Sequence, residues 1–168
     1  MNLGVTPSGR EAVLECAGRR YRAAVGRGGI GAKSREGDGI TPLGRFAVRR
    51  ILYRADRLVA PHTGLPLAAL TPQDGWCDAP DDPAYNTQIR RPFAPSHEAL
   101  WRDDPLYDLV AVLGFNDAPV VAGAGSAIFL HVARADYGAT EGCIALVRDD
   151  LLAVLARLAP GDTLSVSP

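Results

Sequence analysis

The chain has a single lysine, Lys33, and its other basic residues are all arginine. Acidic and basic residues nearly cancel, at a formal net charge of -1. That removes the electrostatic footprint expected of a partner for nucleic acid or an acidic membrane surface. Cysteine is scarce too. Cys16, Cys77 and Cys143 are odd in number and widely spaced, so they form no disulfide framework, and within a monomer at least one thiol stays free. No apolar run approaches the roughly 18 to 20 residues that a membrane-spanning helix needs. The opening MNLGVTPSGREAVLEC has no apolar core flanked by basic residues. No secretory signal is read there, and the expected location is the cytoplasm, or the cell envelope if a leader is missing.

Signatures for metals and nucleotides are also missing. His62, His97 and His131 are scattered, with no H-E-x-x-H or C-x-x-C spacing, so no metal or other cofactor is expected. Gly26, Gly28 and Gly31 satisfy G-x-G-x-x-G after an apparent strand. A dinucleotide site also needs a helix at once, with its N-terminus toward the pyrophosphate, and Gly37, Gly39 and Pro42 forbid one. Lys33 does not directly follow a glycine, as a phosphate loop requires. These glycines are read instead as a bent, close-packed connection.

What is present describes one globular domain over residues 1–168, with 47% hydrophobic residues and 18 glycines. EAVLEC and YRAAVG read as strands of a hairpin, and RFAVRRILYRA as a long strand with Phe46 and Val48 on one face. YDLVAVLGFN and SAIFLHVAR are apolar enough to be central strands, and DTLSV closes the chain as another. A short helix is predicted from Ser96, with Glu98 in its first turn, and a longer one over Asp149–Leu158, capped by Asp149. The expected fold is mostly β with one or two helices. A long irregular connection runs from Asp56 to about Asp104, packed down by Trp76, Tyr85 and Trp101.

Within this frame Cys143, in TEGCIAL (residues 140–146), stands twelve residues after His131 in IFLHVAR. A nucleophilic cysteine needs a base to take its proton and donors for the oxyanion that forms. Cys143 can be the nucleophile and His131, held on an apolar strand, the base. Gly142 lets the backbone approach a carbonyl, so the N–H groups of Gly142 and Cys143 are candidate oxyanion donors. The alternative is a buried cysteine beside a core histidine. Glu141 next to the thiol either raises its pKa or favours an imidazolium on His131. Asp136 or a backbone carbonyl can orient the imidazole.

HVARADYGATEGCIAL resembles the active-site signature of the YkuD-type L,D-transpeptidase catalytic domains, in which a histidine precedes a Ser/Thr-x-Gly-Cys turn. The upstream GDGITPLGRFAV is similar to the Thr-Pro-x-Gly-x-Phe segment of the same family. With GWCD, YN, SHEALW and GSAIFLH, the likeness is to a compact single-domain bacterial branch, over roughly Ala23 to Val166. The resemblance implies a β-sandwich-like fold with a lid-forming connection. It also implies acyl transfer on peptidoglycan stem peptides or muropeptides, through a Cys143 thioester with His131 as base and Gly142 in the oxyanion site. No cofactor, nucleic acid or membrane span is implied, and the oligomeric state is left open. Thr140 holds the turn, and with Glu141, Asn116, Tyr85, Asn86 and His97 it makes up the candidate substrate-binding set. Two letters depart from the family pattern: Glu141 replaces a frequent histidine, and Ala145 a frequent arginine for which Arg134 or Arg148 are the candidate substitutes. The alternatives are a cytosolic L,D-carboxypeptidase of muropeptide recycling and a non-catalytic peptide-binding domain of the same fold.

Overall fold

Ala17 and Gly18, both at positive φ (49° and 76°), fold EAVLEC back onto its neighbour, giving a two-residue hairpin turn. In the computed structural model, which describes residues 1–168, the chain begins with β1 (Asn2–Ser8), β2 (Glu11–Cys16) and β3 (Arg19–Ala23). The glycine-rich connection holds only the two-residue strands β4 (Ile30–Gly31) and β5 (Thr41–Pro42), before the ten-residue β6 (Gly44–Tyr53). Next come β7 (Leu67–Ala69), β8 (Asp74–Cys77), β9 (Gln88–Arg90) and β10 (His97–Ala99), then a 3-10 turn at Pro105–Tyr107. The chain finishes with β11 (Leu109–Leu113), β12 (Phe129–Val132), β13 (Ile144–Leu146), α1 (Arg148–Leu155) and β14 (Thr163–Val166).

The main sheet runs β13-β12-β11-β6-β14-β1-β2-β3, with β7 added beside β6. It coils until its ends meet, and Ala24, just past β3, exchanges backbone hydrogen bonds of 2.8 and 2.9 Å with Ala145 of β13. The fold is therefore mostly β, a nearly closed sheet with one α-helix. Leu151, Val154 and Leu155 of α1 are fully buried against the inner core.

The strands beside the site are apolar on both faces, which explains their continuous hydrophobic runs. In β11 and β12, Leu109, Ala111, Leu113, Leu130 and Val132 join the inner core. The alternate residues Val110, Val112 and Phe129 form a second cluster with Trp76, Leu100, Tyr107 and Cys143. This second face carries the site, since a strand's side chains alternate with period two.

Three expectations are corrected. The connection after Asp56 is not irregular throughout, because it contains a three-stranded sheet ordered β10-β8-β9. The helix expected at Ser96 is β10, where His97, Glu98 and Ala99 pair with Cys77, Trp76 and Gly75. Pairing with β8 overrides the local helix preference of that segment. Asp149 sits inside the first turn of α1 and is not its cap; the N-cap is Val147, which makes no side-chain capping bond. The unexpected β1 pairs with both β14 and β2. It tolerates Pro7 because that residue lies beyond Val5, the last one paired to β14.

Candidate active site

Parallel pairing of β12 with β13 sets His131 opposite Ala145, and Cys143 stands one residue before β13 begins. By alternation, 129, 131, 143 and 145 then share the second face of the sheet. His131 and Cys143 line one cavity of about 760 Å³. The sequence places them twelve apart, and the parallel register brings them to the same wall.

Each is held by backbone. The His131 Nδ1–H donates to Val132 O at 2.9 Å, which leaves Nε2 as the unprotonated ring nitrogen. A backbone carbonyl therefore orients the imidazole; Asp136 instead accepts the Gly138 N–H. The Tyr107 ring stands edge-on to the imidazole, with centroids 5.3 Å apart. The thiol of Cys143 donates to Ala127 O at 3.1 Å and accepts the Phe129 N–H at 3.3 Å.

Burial keeps both partners neutral. It pushes His131 down to about 4, with the Val132 and Leu106 carbonyls acting in the opposite sense. It pushes the Cys143 thiol up to about 12, and the Glu98 carboxylate adds to that, while the Phe129 N–H and Lys33 oppose it. The carboxylate acting on the thiol is thus Glu98, not its sequence neighbour. Glu141 points to solvent and pairs with Arg27, at 2.9 Å.

Both motifs read from the sequence meet at the Cys143 carbonyl. Thr140 Oγ1 donates to it at 2.6 Å and Thr41 Oγ1 at 3.4 Å. Thr41 in turn accepts the Gly26 N–H at 2.8 Å. Glycine is needed at position 26, where a Cβ would lie 2.1 Å from Gly39 O. The Gly142 N–H is spent inside the turn, donating to Thr140 Oγ1 at 3.1 Å. The Cys143 N–H, by contrast, has no intramolecular partner. Gly142 has φ 136°, and a Cβ there would sit 2.8 Å from Ile40 O. Gly142→Ala is expected to cost about 2 kcal/mol of stability. A thermal melt then shows Tm lower by roughly 4–8 °C.

Four members of the candidate substrate set lie away from the cavity. Asn86 is buried and saturated: Trp76 Nε1–H and Ala127 N–H donate to its Oδ1 at 3.0 and 3.1 Å. Its Nδ2 donates to Phe115 O and Asn116 O at 2.9 and 2.8 Å. Tyr85 is buried and donates to Glu36. Asn116, at φ 48°, bonds Val121 and Gly125 across its own turn. His97 is tied to Pro95 O at 2.8 Å. Thr140 and Glu141 do line the cavity.

Sequence reasoning missed much of the wall, which also includes Lys33, Asp78, Glu98, Arg102 and Tyr107. Tyr107 Oη donates to Glu98 Oε1 at 2.7 Å, and burial raises the Glu98 carboxyl despite that bond. Arg102 is held bidentately by Asp104, at 2.8 and 2.6 Å. Of the two candidate substitutes for the family arginine, Arg134 stands exposed on the cavity rim, and Arg148 opens α1 outside it. Ala145 is buried against Ala24 and Ala133 and also lines the cavity. No group of three or more His, Cys, Asp or Glu is placed to hold a metal.

A family model described as YkuD, L,D-transpeptidase catalytic domain, matches residues 8–166. Among solved structures, Mycobacterium tuberculosis L,D-transpeptidase 1 is similar over 98% of this chain and 59% of that one, at 15% identity and a TM-score of 0.43. The chain thus spans 59% of that protein's length. No curated protein matches it at a significant level.

Proposed function

The chain belongs to the L,D-transpeptidase catalytic domain family, and from that premise we propose that it transfers acyl groups of peptidoglycan stem peptides through a Cys143 thioester. The observation that carries the reading is one wall of one cavity. Cys143 and His131 share it, with Nδ1 of the imidazole locked to a carbonyl and Nε2 left as a base.

In the proposed cycle the thiol leaves Ala127 O and gives its proton to His131 Nε2 as Sγ attacks the carbonyl of an L,D-peptide bond. A bond such as that between meso-diaminopimelate and D-alanine suits the chemistry. The C–S bond forms, and the oxyanion takes the Cys143 N–H. Collapse breaks the C–N bond, and the imidazolium returns the proton to the departing amine. An acceptor amine then attacks the thioester, loses a proton to Nε2 and releases the thiol. The resting thiol–imidazole pair is neutral, so the proton moves in the chemical step and not before it.

The test is intact mass after exposure to an acylating carbapenem, followed by peptide mapping. One adduct is expected, on the peptide holding Cys143. An adduct on Cys16 or Cys77 alone, both of them buried with raised pKa, overturns the assignment. Incubation with a tetrapeptide stem and excess amine acceptor then gives exchanged product. Tripeptide and free D-alanine with no exchange show that water is the acceptor and sink the transferase reading.

A further inference from the structure

Lys33, the only lysine of the chain, lines the cavity with a side chain just 3% exposed. Its Nζ donates to Asp38 Oδ1 at 2.6 Å. An ammonium carries three donors, and this bond uses one. Asp38 is shared more widely. It also takes the N–H of Ile40 on Oδ1 at 3.0 Å and that of Ser34 on Oδ2 at 3.0 Å. Burial works against that carboxylate, yet the Lys33 bond and the two N–H groups outweigh it and hold the pKa well below the usual range. Asp38 therefore fixes the lysine in place and leaves two of its N–H donors open. The opposite loop makes room for the stem: a Cβ on Gly125 would lie 2.4 Å from Lys33 Cε.

The other cations of the cavity are less suited to bind an anion there. Arg102 is claimed on two nitrogens by Asp104, and Arg134 is exposed on the rim. Lys33 alone is buried, has open donors and acts on the Cys143 thiol. A buried cation in the cavity that also holds the Cys143 thiol suits a carboxylate one residue beyond the scissile bond. From this placement we propose that Lys33 binds the terminal carboxylate of the departing residue. The proposal rests on the stem-peptide reading above and names its specificity determinant.

The experiment titrates two ligands into the Cys143→Ala protein, where no turnover occurs: a tetrapeptide stem ending in a D-alanine carboxylate, and the same peptide as its terminal carboxamide. The acid is expected to bind about ten- to a hundredfold tighter, the range of a charge-assisted hydrogen bond. Adding Lys33→Gln brings the two ligands to within about twofold. Adding Asp38→Asn instead weakens both ligands alike and keeps the preference for the acid, because the ammonium is still there. A preference retained in Lys33→Gln overturns the proposal, as does no preference in the parent. Equal loss of the preference in Lys33→Gln and Asp38→Asn also overturns it, reducing Lys33 to a strut of its loop. Binding of neither ligand overturns this proposal together with the stem-peptide reading. No acid preference in Cys143→Ala, where the wild type still forms the carbapenem adduct on Cys143, overturns Lys33 alone.

Discussion

His131→Asn is expected to lower the rate of Cys143 acylation at pH 7 by about a thousandfold, within the usual reach of a lost general base. With the thiol pushed up to about 12, free thiolate at pH 7 is roughly one part in 10^5. Only a base within the site makes the sulfur nucleophilic, and the buried imidazole, pushed down to about 4, is unprotonated and ready. The wild-type rate should stay level from about pH 5 to about pH 10 and fall only as pH drops through 4. In His131→Asn the rate should instead climb about tenfold per pH unit across the same range, because only pre-formed thiolate reacts. Stopped-flow acylation by a carbapenem reads both profiles. A wild-type acid limb near 6.5, or a flat profile in the variant, defeats the account.

The same burial makes a stability prediction of definite sign. The unfolded chain protonates this imidazole near its ordinary value of 6.5, whereas the folded chain resists until about 4. Between those pH values the unfolded state binds more protons, so stability falls as pH drops through that window. It is fully present above 6.5, and the loss is complete below 4. His131→Asn removes that component of the pH slope.

The parts of this molecule legible in its sequence are those set by local period and turn chemistry. The apolar run in IFLHVAR marked a central strand, and it is β12. The Ala17–Gly18 hairpin, β6 and β14 followed from pattern alone. The failures have a different physical origin. Ser96 to Ala99 has the letters of a capped helix, but its backbone is claimed by Trp76 and its neighbours, twenty residues upstream. Glu98 looked like a helix-turn carboxylate and is a wall of the cavity, with Tyr107 on it. Lys33 was weighed only as a phosphate-loop residue; its pairing with Asp38, five positions on, depends on how the glycine-rich connection bends. Polar letters in a long loop were read as ligands for substrate, although a loop that packs must satisfy its own buried backbone first. Asn86 shows that most clearly.

Asn86→Ala is expected to destabilise the protein by about 3–5 kcal/mol, a loss drawn from several unpaired groups at once. The amide serves four partners at distances between 2.8 and 3.1 Å. Truncation strands the Trp76 indole N–H and the Ala127 N–H in the interior. It also strips a donor from two carbonyls, leaves a gap, and puts alanine at φ 57°, where asparagine is better tolerated. For a chain of this size the melt should fall by roughly 6–20 °C. The effect should reach the chemistry, because Ala127 is also the residue whose carbonyl holds the Cys143 thiol. Loosening it leaves the sulfur without a fixed starting position, so kcat should fall while KM stays within about twofold at a temperature where the variant is folded. A residue that touched substrate gives the reverse pattern: KM rises and the melting temperature hardly moves. Differential scanning calorimetry beside steady-state kinetics separates the two, and an unchanged Tm with a raised KM would return Asn86 to the binding site.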